Sequence, residues 1–74
     1  MNEHDLLVLR RDLPEHGLEI GDVGVVVALH GSEAIEAEFV NAAGETLAVV
    51  TLETSAVRPM EGSEILHVRA VSVA

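Results

Sequence analysis

Four histidines are the residues of this chain best suited to metal chemistry. They are His4, His16, His30 and His67. No two of them have the spacing that places a histidine pair on one face of a helix, as in zinc hydrolases. His16 follows Glu15 and His30 lies just before Glu33, and such groupings could hold a metal ion. Surface histidines fit the pattern better, so we predict no metal and no cofactor.

Carboxylates are the second candidates for chemistry. Glu36 and Glu38 are two positions apart in an alternating segment, which places both on one face of a strand. Paired carboxylates can act as acid and base only in a desolvated pocket that separates their pKa values. A chain of 74 residues has a thin core and is too short to enclose one. No serine lies in a nucleophile-elbow sequence, and we therefore expect no enzymatic activity.

The charge of the chain restricts its partners. Thirteen acidic residues oppose four arginines and no lysine, for a net charge of −9. This charge repels phosphate backbones and anionic membrane surfaces, so we expect no binding to nucleic acid or membrane. An acidic surface can steer a basic protein toward it. The N-terminal residues lack the cationic start and apolar segment of a signal peptide, and a cytoplasmic location is expected.

Short apolar segments separated by turn residues predict an all-β domain. Strands are expected at residues 6–9, 23–29, 34–40, 46–52 and 57–59, with a short turn at 53–56. Pro59 should end the last strand because it has no N–H to donate. The core must be aliphatic apart from Phe39, the single aromatic residue. Together with a long first loop, these elements predict a small SH3-like barrel of about five strands plus a C-terminal strand or tail.

The long loop, residues 11–19, is the most unusual segment. Glu15 and His16 lie at its tip and could face a partner; alternatively, Leu13 and Leu18 plug the end of the barrel and the loop is purely structural. After the loop, Gly21 and Gly24 suggest a tight turn and then a bulge or close backbone approach. Asp22, between them, should form a hydrogen bond within its own turn. The expected structural residues here are Pro14, Gly17, Gly21, Asp22 and Gly24.

The second and fourth strands carry apolar residues on both faces. Strict alternation places Val25 and Leu29 on one face of the second strand and Val26 on the other. One barrel interior cannot accept both sets, so something must cover the outer set. Residues 65–73 also alternate. Three roles for residues 61–74 remain open: they close the barrel, they form a homodimer through a C-terminal strand, or they bind a partner.

Several segments resemble a known family. The chain reads LPEHGL at residues 13–18 and GDVGVV at 21–26, with further matches at 36–40, 44–46, 49–52 and 57–59. Over residues 4–60 it resembles the small bacterial proteins of domain of unknown function 4926. The resemblance implies a compact SH3-like β domain without a known activity, cofactor or catalytic residue. Similar genes often lie beside a second small gene, as toxin–antitoxin and immunity pairs do.

These observations predict one domain, residues 1–74, with a core at 5–60 and a C-terminal strand or tail at 61–74. We expect a non-enzymatic protein-interaction module, the antitoxin-like or immunity-like half of a small gene pair, with a basic and co-encoded protein partner. The residues expected to bind it are Glu15 and His16 in the loop and Glu36 and Glu38 on the third strand. The alternative is a small metal- or ligand-binding accessory domain of an enzyme complex.

Overall fold

The structure, a computed structural model, describes residues 1–71. It contains five strands: β1 (Leu6–Leu9), β2 (Val23–His30), β3 (Ala34–Val40), β4 (Thr46–Glu53) and β5 (Val57–Pro59). Two single 3₁₀ turns, Pro14–His16 and Thr54–Ala56, precede β2 and β5 respectively. The predicted all-β class is confirmed. The bounds of β1, β3 and β5 are those expected, and β2 and β4 each extend one residue further.

The strands form an antiparallel sheet in the order β4-β3-β2-β1-β5. Within residues 1–71 no pairing joins β4 to β5, so the sheet is open and the expected barrel does not close. The short β5 explains this difference, because Pro59 ends the strand after three residues and cannot donate to a further ladder. Residues 60–71 form no strand. Of the two expectations for the C-terminus the tail is the one observed, and the rest of the predicted strand, residues 72 and 73, lies outside the described residues.

The core lies on one face of the sheet, which we call the inner face. Its largest fully buried side chains are Phe39, Leu7, Leu9, Ile35 and Val26. The Phe39 ring packs directly on the backbone of Gly24: a Cβ there would lie 2.7 Å from Cε1 of the ring. Gly24 therefore marks a close approach rather than the bulge.

A register shift between Val26 and Ala28 is the irregularity of β2. It places Val25 opposite Glu38 but Leu29 opposite Ile35. Because directly paired residues share a face of the sheet, Val25 and Leu29 lie on opposite faces. The strict alternation expected for β2 is wrong at this point.

The long first loop covers the core. Leu13 and Leu18 are both buried and pair through two backbone hydrogen bonds, Leu13 N to Leu18 O at 2.9 Å and the reverse at 3.1 Å. Pro14 begins the 3₁₀ turn between them, and Gly17, with φ 67°, ends it. This left-handed conformation favours glycine. The loop is thus closed at its base by two leucines of the core.

Candidate binding surfaces

The outer face of the sheet carries the two strand carboxylates predicted to bind a partner. Along β3, Ile35, Ala37 and Phe39 are buried, so the intervening Glu36 and Glu38 extend from the opposite face. We call this opposite side of the sheet the outer face. Glu36 and Glu38 therefore lie on the same face of the sheet, as predicted.

Aliphatic side chains flank Glu38 on the outer face. The register places Glu38 between Val25 of β2 and Val49 of β4, with Leu6 of β1 beyond Val25. Leu6 and Val49 remain 45% and 52% exposed. Part of the second apolar set is thus open to solvent, and it lies in the same row as a carboxylate.

Neither outer-face carboxylate meets an arginine in the described part of the chain. Glu38 accepts a hydrogen bond from the Thr46 hydroxyl at 2.8 Å. Glu36 lies 3.3 Å from Nε2 of His30, which carries a charge only when it is protonated. Each carboxylate has about four acceptor positions, and one local contact leaves most of them available. The outer face can therefore accept further hydrogen bonds from a cationic partner.

The loop residues predicted to join this surface lie elsewhere. Glu15 and His16 are exposed on the 3₁₀ turn of the long loop. That loop covers the inner face, whereas Glu36 and Glu38 extend from the outer face. The structure therefore does not bring the four predicted residues together, and they belong to two separate surfaces.

A third site joins the turn before β2 to the tail, residues 61–71. Arg69 donates from Nε to Oδ1 of Asp22 at 2.8 Å and makes a parallel hydrogen bond from Nη2 to Oδ2. Nη2 also donates to the Gly17 carbonyl at 3.1 Å, and Nη1 lies 3.2 Å from a Glu19 carboxylate oxygen. We call the acceptors Gly17, Glu19 and Asp22 the guanidinium site. The Arg69 and Asp22 side chains are 27% and 17% exposed.

Local hydrogen bonds build this turn. The Asp22 carboxylate accepts from the Glu19 N–H at 2.8 Å, and the Asp22 N–H donates to the Glu19 carbonyl at 3.0 Å. Asp22 thus bonds its own turn, as expected. Asp12 accepts from the Ile20 N–H at 2.8 Å, and Gly21 adopts φ 92°. The hydrogen bond from Arg69 holds the pKa of the Asp22 carboxyl below its ordinary value despite partial burial.

A second ion pair holds the start of the tail. Arg58 of β5 donates to both carboxylate oxygens of Glu64, at 2.8 and 2.6 Å. Glu64 also accepts from the Glu61 N–H at 2.6 Å. The hydrogen bond from Arg58, supported by the one from Glu61, lowers the pKa of Glu64 to about 2. Two of the four arginines therefore attach the tail to residues 1–60, which we call the sheet domain.

Comparison with known families identifies the sheet domain. Residues 3–59 match the family described as Domain of unknown function (DUF4926). The chain belongs to this family. No curated protein and no solved structure matches the chain. The matched segment contains all five strands and the whole guanidinium site, whereas Glu64 and Arg69 lie beyond it. The DUF4926 segment thus supplies the acceptors of the guanidinium site, and the tail supplies the arginine that they bind.

Residues 1–71 of this DUF4926 chain contain neither a metal-binding cluster nor a membrane-spanning helix. No group of three or more histidines and carboxylates is close enough to hold a metal ion. No helix in the same range has the length and apolar character needed to cross a bilayer.

The guanidinium site is the feature that sequence reasoning missed. Asp22 was expected only as a turn residue and Arg69 only as part of an alternating segment. They are 47 positions apart, and no local pattern connects them. The only signal in the sequence is that four arginines among thirteen acidic residues have many acceptors available.

Proposed function

We propose that this chain is a non-enzymatic protein-interaction module that binds a basic protein through the outer face of its sheet. The row Leu6–Val25–Glu38–Val49 carries the proposal, because it places half-exposed aliphatic side chains beside a carboxylate that has no arginine partner in residues 1–71. An isolated exposed aliphatic residue needs no explanation, but a row of them around charge favours an interface.

The chemistry of the row fits lysine and arginine side chains. These side chains have long aliphatic stems and charged ends. A partner's stems can pack on Leu6 and Val49 while the cationic ends reach Glu36 and Glu38. The aliphatic contact excludes water, which strengthens the charged hydrogen bonds beside it. Affinity and selectivity for basic proteins then come from one surface.

Long-range attraction supports the same partner. The net charge of −9 raises the encounter rate with a basic protein and lowers it with an acidic one. The effect decreases as salt screens the charges beyond about 8–10 Å at physiological ionic strength. Binding through the outer face should therefore weaken steeply with salt.

An antitoxin-like or immunity-like role belongs to the same proposal. By covering the basic surface of a co-encoded protein in the bacterial cytoplasm, the chain would prevent that protein from acting. Such a role requires occlusion and no catalysis. It rests on the row described above.

The test is a calorimetric titration of the product of the adjacent small gene against the parent and the variant Glu36→Gln/Glu38→Gln, at low and high salt. We expect the variant to bind about tenfold or more weakly at low salt, with the difference shrinking at high salt. Its denaturation midpoint should stay near that of the parent, because exposed charges contribute little to stability.

Two matched variants locate the effect. Glu3→Gln/Glu61→Gln removes the same charge from other exposed positions and should reduce binding much less. Glu15→Ala/His16→Ala alters the loop on the other side of the sheet. Parent-like binding by Glu36→Gln/Glu38→Gln would refute the outer face. Loss of binding in the loop variant alone would move the interface to the loop.

A further inference from the structure

We propose that the guanidinium site is a binding site for an arginine of the partner protein, and that the tail blocks it by placing Arg69 there. The inference rests on the proposed function in assuming a basic partner. It goes further by naming the side chain recognised, the acceptors that recognise it and the segment that competes. The site itself is testable with a peptide, without that partner.

The acceptors match a guanidinium group in number and geometry. Asp22 presents both carboxylate oxygens to two parallel N–H donors, Nε and Nη2 of Arg69. Nη2 also donates to the Gly17 carbonyl at 3.1 Å, and the remaining nitrogen, Nη1, lies 3.2 Å from a Glu19 carboxylate oxygen. Paired bonds of this kind select arginine over lysine, whose ammonium group acts as a point charge.

The turn that carries the site is held by contacts within the sheet domain. Hydrogen bonds between Glu19 and Asp22 fix the turn from within, and Asp12 fixes Ile20. The buried pair Leu13 and Leu18 attaches the same loop to the core. All of these residues lie in the matched family segment, residues 3–59. An arginine supplied from another molecule would therefore meet acceptors that are already in place.

The tail is held mainly by its two ion pairs. Residues 65–71 form no strand, and Ile65 and Val68 are 93% and 90% exposed. Detaching the tail therefore exposes little additional apolar surface of these two side chains to water. Arg69 anchors one end through its part-buried pair with Asp22, and Glu64 anchors the other through a more exposed pair with Arg58, of a kind that contributes little. Such a segment can be displaced by a competing ligand.

An apolar groove beside the site has room for the residues that flank a bound arginine. With the tail in place it measures about 900 Å³ and lies between Leu18, Val23 and Leu47 of the sheet domain and Leu66 and Val71 of the tail. A ligand that displaces the tail would take the tail's position along the wall that the sheet domain provides. The ligand this combination fits is an extended segment with an arginine between aliphatic residues. The tail has this composition around Arg69, with Val68 before it and Ala70 after it.

Competition by the tail sets the size of the expected effect. A group tethered through a short linker acts at an effective concentration in the millimolar range. A ligand from solution must displace it, and its apparent affinity falls by the fraction of molecules in which the site is free. Removing Arg69 should therefore strengthen the binding of an arginine peptide about tenfold or more.

The experiment uses the full chain and a synthetic peptide with the sequence of residues 65–71. NMR titration of the ¹⁵N-labelled parent and of Arg69→Gln follows the amide signals of Gly17, Glu19 and Asp22. We expect saturable shifts at these amides, with a dissociation constant about tenfold or more lower for Arg69→Gln than for the parent. A peptide with lysine in place of its arginine should bind markedly more weakly.

Two further variants in the Arg69→Gln background test the acceptors. Asp22→Asn keeps an oxygen for the Glu19 N–H but removes the charged fork, and Glu19→Gln removes the flanking charge. Each should weaken the peptide, Asp22→Asn by about tenfold or more, while the charge-matched Glu3→Gln should not. Equal binding by parent and Arg69→Gln, equal binding with and without Asp22→Asn, or no shift at these amides would each overturn the site.

A final binding measurement, with the product of the adjacent gene, distinguishes failure of this inference from failure of the proposed function. Arg69→Gln should also bind the product of the adjacent gene more tightly than the parent does. If that protein binds the outer face but Arg69→Gln leaves its affinity unchanged, the role of the site toward the partner is refuted and the proposed function stands. If the peptide binds as expected but that protein binds neither chain, the proposed function fails and the site is an anchor for the tail alone.

Discussion

Replacing Gly24 with alanine tests the packing of the core most sharply. A Cβ at this position would lie 2.7, 2.9 and 3.0 Å from Cε1, Cζ and Cδ1 of Phe39, where ordinary contact begins at 3.4 Å. The ring would have to retreat by about 0.7 Å, the difference between 3.4 and 2.7 Å. Phe39 is 2% exposed, so the displacement propagates into the core. Overpacking of this kind costs about 1–3 kcal/mol.

The assay is urea denaturation followed by circular dichroism, because the chain has no tryptophan or tyrosine for fluorescence. With a urea dependence of about 1 kcal/mol per molar for a small domain, Gly24→Ala should lower the midpoint by about 1–3 M. Gly62→Ala is the matched control, because an added Cβ there meets no atom within 4 Å. Its midpoint should equal that of the parent.

A double-mutant cycle shows whether the Phe39 ring is the cause. Phe39→Leu removes the edge of the ring that a Cβ at position 24 would meet, and should itself cost about 1–2 kcal/mol. Gly24→Ala in the Phe39→Leu background should then cost less than in the parent by about 1 kcal/mol or more. Additive free energies, within about 0.3–0.5 kcal/mol, would refute the contact.

Two further predictions concern the tail and the charge. The pKa of Glu64 is lowered from 4.5 to about 2 by Arg58, so its ion pair is fully formed above pH 4.5 and is lost as the pH falls through about 2; NMR titration of the Glu64 carboxyl should show this low midpoint, and a midpoint near 4.5 would show that the pair does not form in solution. Because the net charge is −9, the chain should give no gel shift with duplex or single-stranded nucleic acid at physiological salt; a salt-sensitive shift at micromolar protein would contradict this.

Local patterns predicted most of the strands for identifiable reasons. The alternation of β3 marks its buried and exposed faces directly, and the bounds of Ala34–Val40 are as expected. Turn residues end other elements: Gly17 ends the 3₁₀ turn in a left-handed conformation, and Pro59 ends β5 because it cannot extend a ladder. Phe39, the only aromatic residue, is expected in the core, and its burial confirms this.

Features that depend on distant partners were not predictable from these patterns. Alternation shows which side chains share a face but not whether an edge finds another strand, so the pattern of residues 65–73 allows both a strand and a tail. The open sheet follows from the shortness of β5, which pairs on one side with β1. The register shift in β2 follows its pairing with β3. The Arg69–Asp22 contact joins residues 47 positions apart, and no local pattern predicts it. The separation of Glu15 from Glu36 depends on where the long loop lies against the sheet, which the sequence pattern does not show either.

The most direct test of the proposed function is chemical-shift mapping on the ¹⁵N-labelled chain during titration with the product of the adjacent gene at low salt. If the outer face is the interface, the largest chemical-shift changes should fall in β3 and β4, centred on Glu36, Glu38 and Val49. These changes should diminish as salt is raised. Binding with changes confined to other parts of the chain, or no binding at low salt, would contradict it.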